Sequence, residues 1–167
     1  MLTITVWQPH ATLLMLGVKP FETRSKRAPA SLIGQRVGIH AGLRLDDLRE
    51  LAEYIEARND GAPRIASFDA MANALNDAGF NRVGDLPRGH LLGSILVRES
   101  VPTVDLTCDP GHFGDFRPGR HAWRVEQPAL LRQPVPFKGS QGFFHVPDNL
   151  FLNPIAEMAD AYQEELK

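Results

Sequence analysis

Trp7-Gln8-Pro9, an apolar run, and then Gly17-Val18-Lys19-Pro20-Phe21-Glu22-Thr23-Arg24 form the most informative stretch of the chain. Pro9 suits the first position of a helix, because its missing N–H costs nothing there. Gly17 is placed to end that helix, and Pro20 favours an extended conformation for Lys19. The stretch therefore predicts an aromatic turn, a short buried helix and a strand within eighteen residues.

The strand Phe21 to Arg24 carries the polar side chains of a candidate site. Period two directs Phe21 and Thr23 to one face, and it directs Glu22 and Arg24 to the other. Lys19 lies at the entrance of the strand, where desolvation would lower its pKa and suit it to general-base work. Alternatively, Glu22 keeps Lys19 charged, and Lys19 and Arg24 then form an anion clamp. The structural alternative is a strand-face salt bridge worth under about 1 kcal/mol.

Other periodic segments predict a single α+β domain over residues 1–167, a small, mostly antiparallel β-barrel flanked by helices. The last helix carries an apolar stripe that packs on the barrel or forms a dimer contact, so a monomer or weak homodimer is expected. Strands are predicted over 2–6, 36–41, 91–97 (extending to 106), 120–125 paired with 130–137, and 142–146, and helices over 45–58, 68–78 and 149–167.

Composition excludes several classes of protein. The longest apolar run is too short to span a bilayer, and the N-terminus lacks a basic region typical of signal peptides. Cys108 is the only cysteine, so no internal disulfide forms, which fits a cytoplasmic location. The net charge of −2 argues against coating of nucleic acid by bulk electrostatics. Any nucleic-acid contact must come from a local patch.

Several short motifs recur in one order from the N-terminus to about residue 147, and together they resemble the ASCH domain family of the PUA-like superfamily. The chain departs from the family pattern at His10 and Lys26, where a Trp is common, and at Leu32-Ile33-Gly34. The motifs are Trp7-Gln8-Pro9-x-Ala11, Gly17-x-Lys19-x-x-Glu22-x-Arg24, Ile39-His40-Ala41, Gly93, Phe113-Gly114-Asp115-Phe116-x-Pro118-Gly119-Arg120-x-Ala122-Trp123 and Pro134-x-Pro136-x-Lys138-Gly139-x-Gln141-Gly142-Phe143.

The resemblance implies a PUA-like barrel and a role with RNA or nucleotides. Some small bacterial relatives resemble amidohydrolases that remove an acetyl group from acetylated cytidine, and others are described as ribonucleases. The amidohydrolases have a Lys at the position of Lys19 and a Thr at the position of Glu22. Because this chain has Glu22 instead of that Thr, it lacks one catalytic partner of those enzymes but has a carboxylate that suits a general base.

Five further residues are candidates for ligand binding. Trp7 either stacks on a base or belongs to the core. Gln8 either hydrogen-bonds a base edge or caps the helix, and His40 either faces a cavity or is an ordinary buried or exposed histidine. Lys138 and Gln141 lie in a Gly-flanked loop, which allows the backbone to approach a ligand closely.

The sequence predicts no metal site and no cofactor. The spacing of Cys108, Asp109, His112 and His121 is loosely metal-like but matches no zinc signature. Two functions are therefore expected from one cleft: a module that binds RNA, a nucleotide or a nucleoside, or a hydrolase with Lys19 or Glu22 as catalytic base. A scaffold with a vestigial cleft is the third alternative.

Overall fold

The computed structural model describes residues 1–152. The predicted C-terminal helix and its apolar stripe lie outside these residues, except for a short helical turn at Asp148–Phe151. In chain order the elements are β1 (Leu2–Val6), α1 (His10–Met15), β2 (Phe21–Arg24), β3 (Arg36–Ala41), α2 (Asp46–Asn59), α3 (Ala66–Asp77), β4 (His90–Pro102), β5 (His121–Pro136) and β6 (Phe143–His145).

The six strands form one open sheet in the order β2-β5-β4-β3-β1-β6. β1 and β3 are parallel, and every other pair is antiparallel. The α+β class and the mostly antiparallel sheet are confirmed, but the expected closed barrel is wrong. No ladder joins the edge strands β2 and β6 in the described part of the chain. Instead, the sheet curls until a side chain of β2, Arg24, donates from Nη2 to the Thr5 carbonyl of β1 at 2.8 Å.

The two strands predicted at 120–125 and 130–137 are one strand, β5, and they do not pair with each other. Both halves pair with β4, whose thirteen residues extend along β5. Between Ser94 and Leu96, two steps along β4 match three steps along β5, from Ala129 to Glu126. The apparent turn in the sequence is therefore a β-bulge, with Gln127 at a φ of 49°.

One apolar cluster packs helix α1 against the sheet, a second joins α1 to α2 and α3, and a third lies between strands and the turn at Asp148–Phe151. Helix α1 is buried on nearly every side because its residues from Ala11 to Met15 are apolar apart from Thr12. It ends at Met15, and the chain turns away at Gly17, whose φ of 76° favours glycine. Leu13 of α1 also joins the cluster that packs α2 against α3. Helix α1 therefore fixes the β1–α1 corner between the sheet and the other two helices.

Within residues 1–152, none of the helices has the length and apolar character needed to cross a membrane.

Candidate functional site

A cleft of about 1440 Å³ opens beside the β1–α1 corner and β2. One wall comes from α2 and α3, and the other comes from the loop before β5 and the loop between β5 and β6. The residues predicted from sequence that line it are Trp7, Lys19, Glu22, Arg24, His40, Lys138 and Gln141. The structure thus brings seven of the eight predicted site residues together.

Lys19, Glu22 and Arg24 form a buried ion network at the floor of this cleft. Lys19 Nζ lies 2.7 Å from Glu22 Oε2, and Arg24 Nε lies 2.9 Å from Glu22 Oε1. The Lys19 and Glu22 side chains are only 2% and 8% exposed. The salt bridge expected on this strand face is therefore present, and it is buried. Period two correctly predicted that Glu22 and Arg24 share a face, whereas Lys19 lies deeper than the strand entrance.

The charges of the network follow from burial and proximity. Burial alone would raise the pKa of Glu22, but the charges of Lys19 and Arg24 hold that pKa below its ordinary value. Burial lowers the pKa of Lys19, and Glu22 opposes this shift. Glu22 is therefore a carboxylate at neutral pH, and its 2.7 Å contact with Nζ opposes loss of the Lys19 proton.

The hydrogen bonds of the network leave several N–H donors unused. Lys19 uses two of its three N–H groups, on Glu22 and on the Phe21 carbonyl at 2.6 Å. Arg24 spends its Nε on Glu22 and one Nη2 hydrogen on the Thr5 carbonyl, so further guanidinium hydrogens have no partner among the described residues. Both Glu22 oxygens are engaged. The floor therefore offers N–H groups, and it complements ligand oxygens that accept hydrogen bonds.

Trp7 lies at the edge of the cleft, and its side chain is 43% exposed. The Arg44 guanidinium stands 4.1 Å from the centre of the ring, a cation–π distance, and Arg44 also pairs with Asp46. Arg44 does not line the cleft. Part of Trp7 therefore remains exposed at the cleft although Arg44 lies over its ring.

His40 connects three parts of the site. Its Nε2 is 3.0 Å from the Phe137 carbonyl, and its Nδ1 is 3.2 Å from Thr5 Oγ1. Thr5 Oγ1 in turn donates to the Ser140 carbonyl at 3.0 Å. A Cβ built on Gly139 would lie 2.2 Å from the His40 ring, so this loop position needs glycine. His40 therefore supports the loop that presents Lys138 and Gln141.

Gln8 is the one predicted site residue that does not line the cleft. Its side chain is fully buried, Oε1 accepts the backbone N–H of Thr12 at 3.0 Å, and Nε2 donates to the Pro87 carbonyl at 2.8 Å. Of the two roles considered for Gln8, the structure supports capping of α1. A contact between Gln8 and a ligand is not supported, because no polar atom of its side chain is available.

The loop 109–119 and the residue after it add charged side chains that the sequence did not predict. Asp115 accepts two hydrogen bonds from the Arg117 guanidinium and lies 3.3 Å from Arg120 Nε. The hydrogen bond from Arg117 holds the pKa of Asp115 at about 2. Helix α2 contributes the acidic Asp47 and Glu50. The cleft is therefore basic on its loop side and acidic on its helix side.

Among residues 1–152, no cluster of His, Cys, Asp and Glu side chains has a geometry suited to a metal ion. Cys108 is exposed and reduced.

No protein-family model matches the chain, and no curated protein matches it either. The chain does match solved structures, and three of these are ASCH proteins from Zymomonas mobilis. A single-residue variant aligns with a TM-score of 0.50 at 11% identity, over 99% of this chain and 96% of its own. A second variant gives 0.49 at 12% identity, over 99% and 94%. A third structure gives 0.47 at 11% identity, over 89% and 88%.

The alignment at TM-score 0.50 spans nearly the whole of both chains, and this decides the architecture. The chain has the ASCH domain fold. At 11% sequence identity, this similarity shows a shared fold. The resemblance to the ASCH family, which the sequence motifs indicated, is thereby confirmed at the level of the fold, although the sheet is open.

Within the ASCH fold, sequence reasoning missed His10, Arg117 and Arg120, which line the cleft from two different elements. The arginines lie in and beside a loop rich in turn residues, and only the tertiary structure brings that loop against β2. His10 did carry a signal, because it directly follows Trp7-Gln8-Pro9 and departs from the ASCH sequence pattern there.

Proposed function

We propose that this chain is a binding module of the ASCH fold that recognises RNA or a nucleotide in the cleft described above. The observation that carries the proposal is the surplus of donors at this floor: Lys19 and Arg24 have unused N–H groups, and each Glu22 oxygen already accepts a hydrogen bond from one of them. Phosphate and carbonyl oxygens of a nucleotide are the acceptors that such a floor fits.

Two further features support a nucleotide ligand. Trp7 presents aromatic surface on which a base can stack, an interaction worth about 1–3 kcal/mol per base. The cleft volume of about 1440 Å³ exceeds the ~300–1,000 Å³ typical of small-molecule sites. This size favours a short single strand over one mononucleotide, with Lys138, Gln141 and the loop arginines along its backbone.

The test compares two exposed lysines, Lys138 in the cleft and Lys26 outside it. Binding of a short single-stranded RNA is followed by fluorescence anisotropy between about 50 and about 200 mM salt. Lys138→Ala is expected to lower affinity and to reduce the slope of log affinity against log salt by about 0.7, since one phosphate contact is lost. Lys26→Ala should leave the slope unchanged. Absence of RNA binding by the wild type, or equal effects of the two variants, would contradict the proposal.

A second candidate is a hydrolase that acts on a modified nucleoside amide or on RNA through the same cleft. The observation in its favour is that Lys19 lies at the cleft floor and that burial lowers its pKa. The salt bridge with Glu22 disfavours it, because it occupies both groups considered as the base. Chromatography with mass spectrometry on acylated nucleosides and RNA, with Lys19→Ala as control, separates the candidates: product lost in the variant identifies a hydrolase.

A further inference from the structure

We propose that His10 is an additional ligand-contacting residue, which donates a hydrogen bond to a phosphodiester oxygen and takes up a proton when that anion binds. This inference rests on the proposed function and specifies the ligand chemistry of the same cleft.

His10 begins helix α1 and lines the cleft at its floor. The charged groups that face it come from three elements: Lys19 from the segment after α1, Glu22 from β2 and Asp47 from α2. Lys19 and Glu22 neutralise each other at 2.7 Å. The imidazole therefore lies beside the buried network but is not part of its hydrogen bonds.

The imidazole has unused hydrogen-bonding capacity. Nδ1 is sealed from solvent and has no hydrogen-bond partner among residues 1–152. Such atoms are rare, because leaving a buried polar group unpaired costs about 1–3 kcal/mol. Nε2 also has no partner in the described chain, but it is not sealed, so it is the nitrogen that a ligand can reach. Because Nδ1 has no acceptor, we assign the proton to Nε2, which then presents an N–H to the cleft.

A bound anion would change the charge of this ring. Burial and the nearby charge of Lys19 lower the pKa of His10, so the ring is neutral at pH 7 without ligand. A phosphate oxygen that accepts the Nε2 hydrogen bond favours the imidazolium form and raises that pKa above its value in the empty cleft. The proton taken up goes to Nδ1, whose unpaired N–H makes the rise smaller than it would be with an acceptor there. By linkage, binding takes up a proton wherever the pH lies between the two values. The affinity for a phosphodiester therefore rises as the pH falls.

The experiment measures the dissociation constant of single-stranded hexauridylate without terminal phosphates from pH 8 to pH 5. This RNA has diester groups alone, and its charge stays constant across that range. The wild type is expected to gain up to about tenfold in affinity per pH unit over the window in which one proton is taken up. His145→Asn, at an exposed histidine that does not line the cleft, serves as control and should keep this slope.

Two variants at position 10 separate donation from protonation. His10→Gln keeps an N–H donor that cannot titrate, so affinity at pH 8 should be retained while the pH dependence disappears. His10→Phe keeps an aromatic ring without a donor, so affinity should fall at every pH with a flat profile. A wild-type affinity that does not vary with pH, or a slope that persists in His10→Gln, would overturn the inference and leave the proposed function intact.

If neither variant folds, the wild type still decides the question. The pKa of His10, followed by NMR through its ring Cε1 proton, should rise when hexauridylate saturates the protein, and an unchanged pKa would overturn the inference. Failure of the proposed function has a different signature, namely no binding of the RNA at any pH.

Discussion

Glu22 is the residue on which the buried polar network depends. Its carboxylate is the shared partner of Lys19 and Arg24, at 2.7 and 2.9 Å, and no other acid contacts Lys19 Nζ in the described chain. Removing one partner of a buried pair leaves an uncompensated charge, which costs more than the pair itself contributes. Glu22→Gln is therefore expected to lower the free energy of unfolding by about 3–5 kcal/mol, measured by urea denaturation.

Glu126→Gln is the matched control at this scale. Glu126 also pairs with two arginines, Arg98 at 2.7 Å and Arg124 at 3.4 Å, but all three side chains are at least one-third exposed. Exposed pairs contribute about 0–1 kcal/mol, so this variant should unfold nearly as the wild type does. Equal losses in the two variants would mean that burial does not set the strength of the Glu22 network.

At the scale of elements, sequence patterns predicted the features that depend only on residues close together in the chain. Period two placed Glu22 and Arg24 on one face, because side-chain direction in a strand depends on the backbone alone. The depth of Lys19 could not be predicted in this way, since it depends on elements far away in the chain. For the same reason the bulge at Gln127 resembled a turn: only the register with β4 shows that the strand continues through it.

The loop between β5 and β6 supplies a prediction at this scale. Its Gly139 backbone lies against the His40 ring, where a Cβ would approach within 2.2 Å of Cε1. His40 is held by Phe137 and Thr5 and has little room to move. Gly139→Ala should therefore displace the loop and lower the free energy of unfolding by about 1–3 kcal/mol, as overpacking does. Both variants can be compared by thermal unfolding. Gly84→Ala should have little effect, because no atom lies within 4 Å of a Cβ built at that position.

For the whole molecule, the acid–base groups favour unfolding at low pH in two stages. Burial lowers the pKa of both His10 and His40 below the ordinary 6.5. Hydrogen bonds from Arg58, Arg64 and Tyr54 lower the pKa of Asp69 from 3.8 to about 2. In each case the unfolded chain binds more protons than the folded one between the two pKa values, so stability rises with pH there and falls as pH decreases.

The expected profile is a loss of stability that begins as the pH drops below about 6.5, where the unfolded histidines gain protons, and a second loss below about 3.8, where unfolded aspartates do. Urea midpoints measured from pH 8 to pH 3 check this. His10→Gln should make the loss of stability below pH 6.5 smaller, because only His40 then contributes to it. Asp69→Asn should leave the first stage unchanged and weaken the second. If the urea midpoint instead increases as the pH falls from 6.5 to 5, the two rings are charged in the folded state. The assignment of a neutral His10 in the empty cleft would then be wrong.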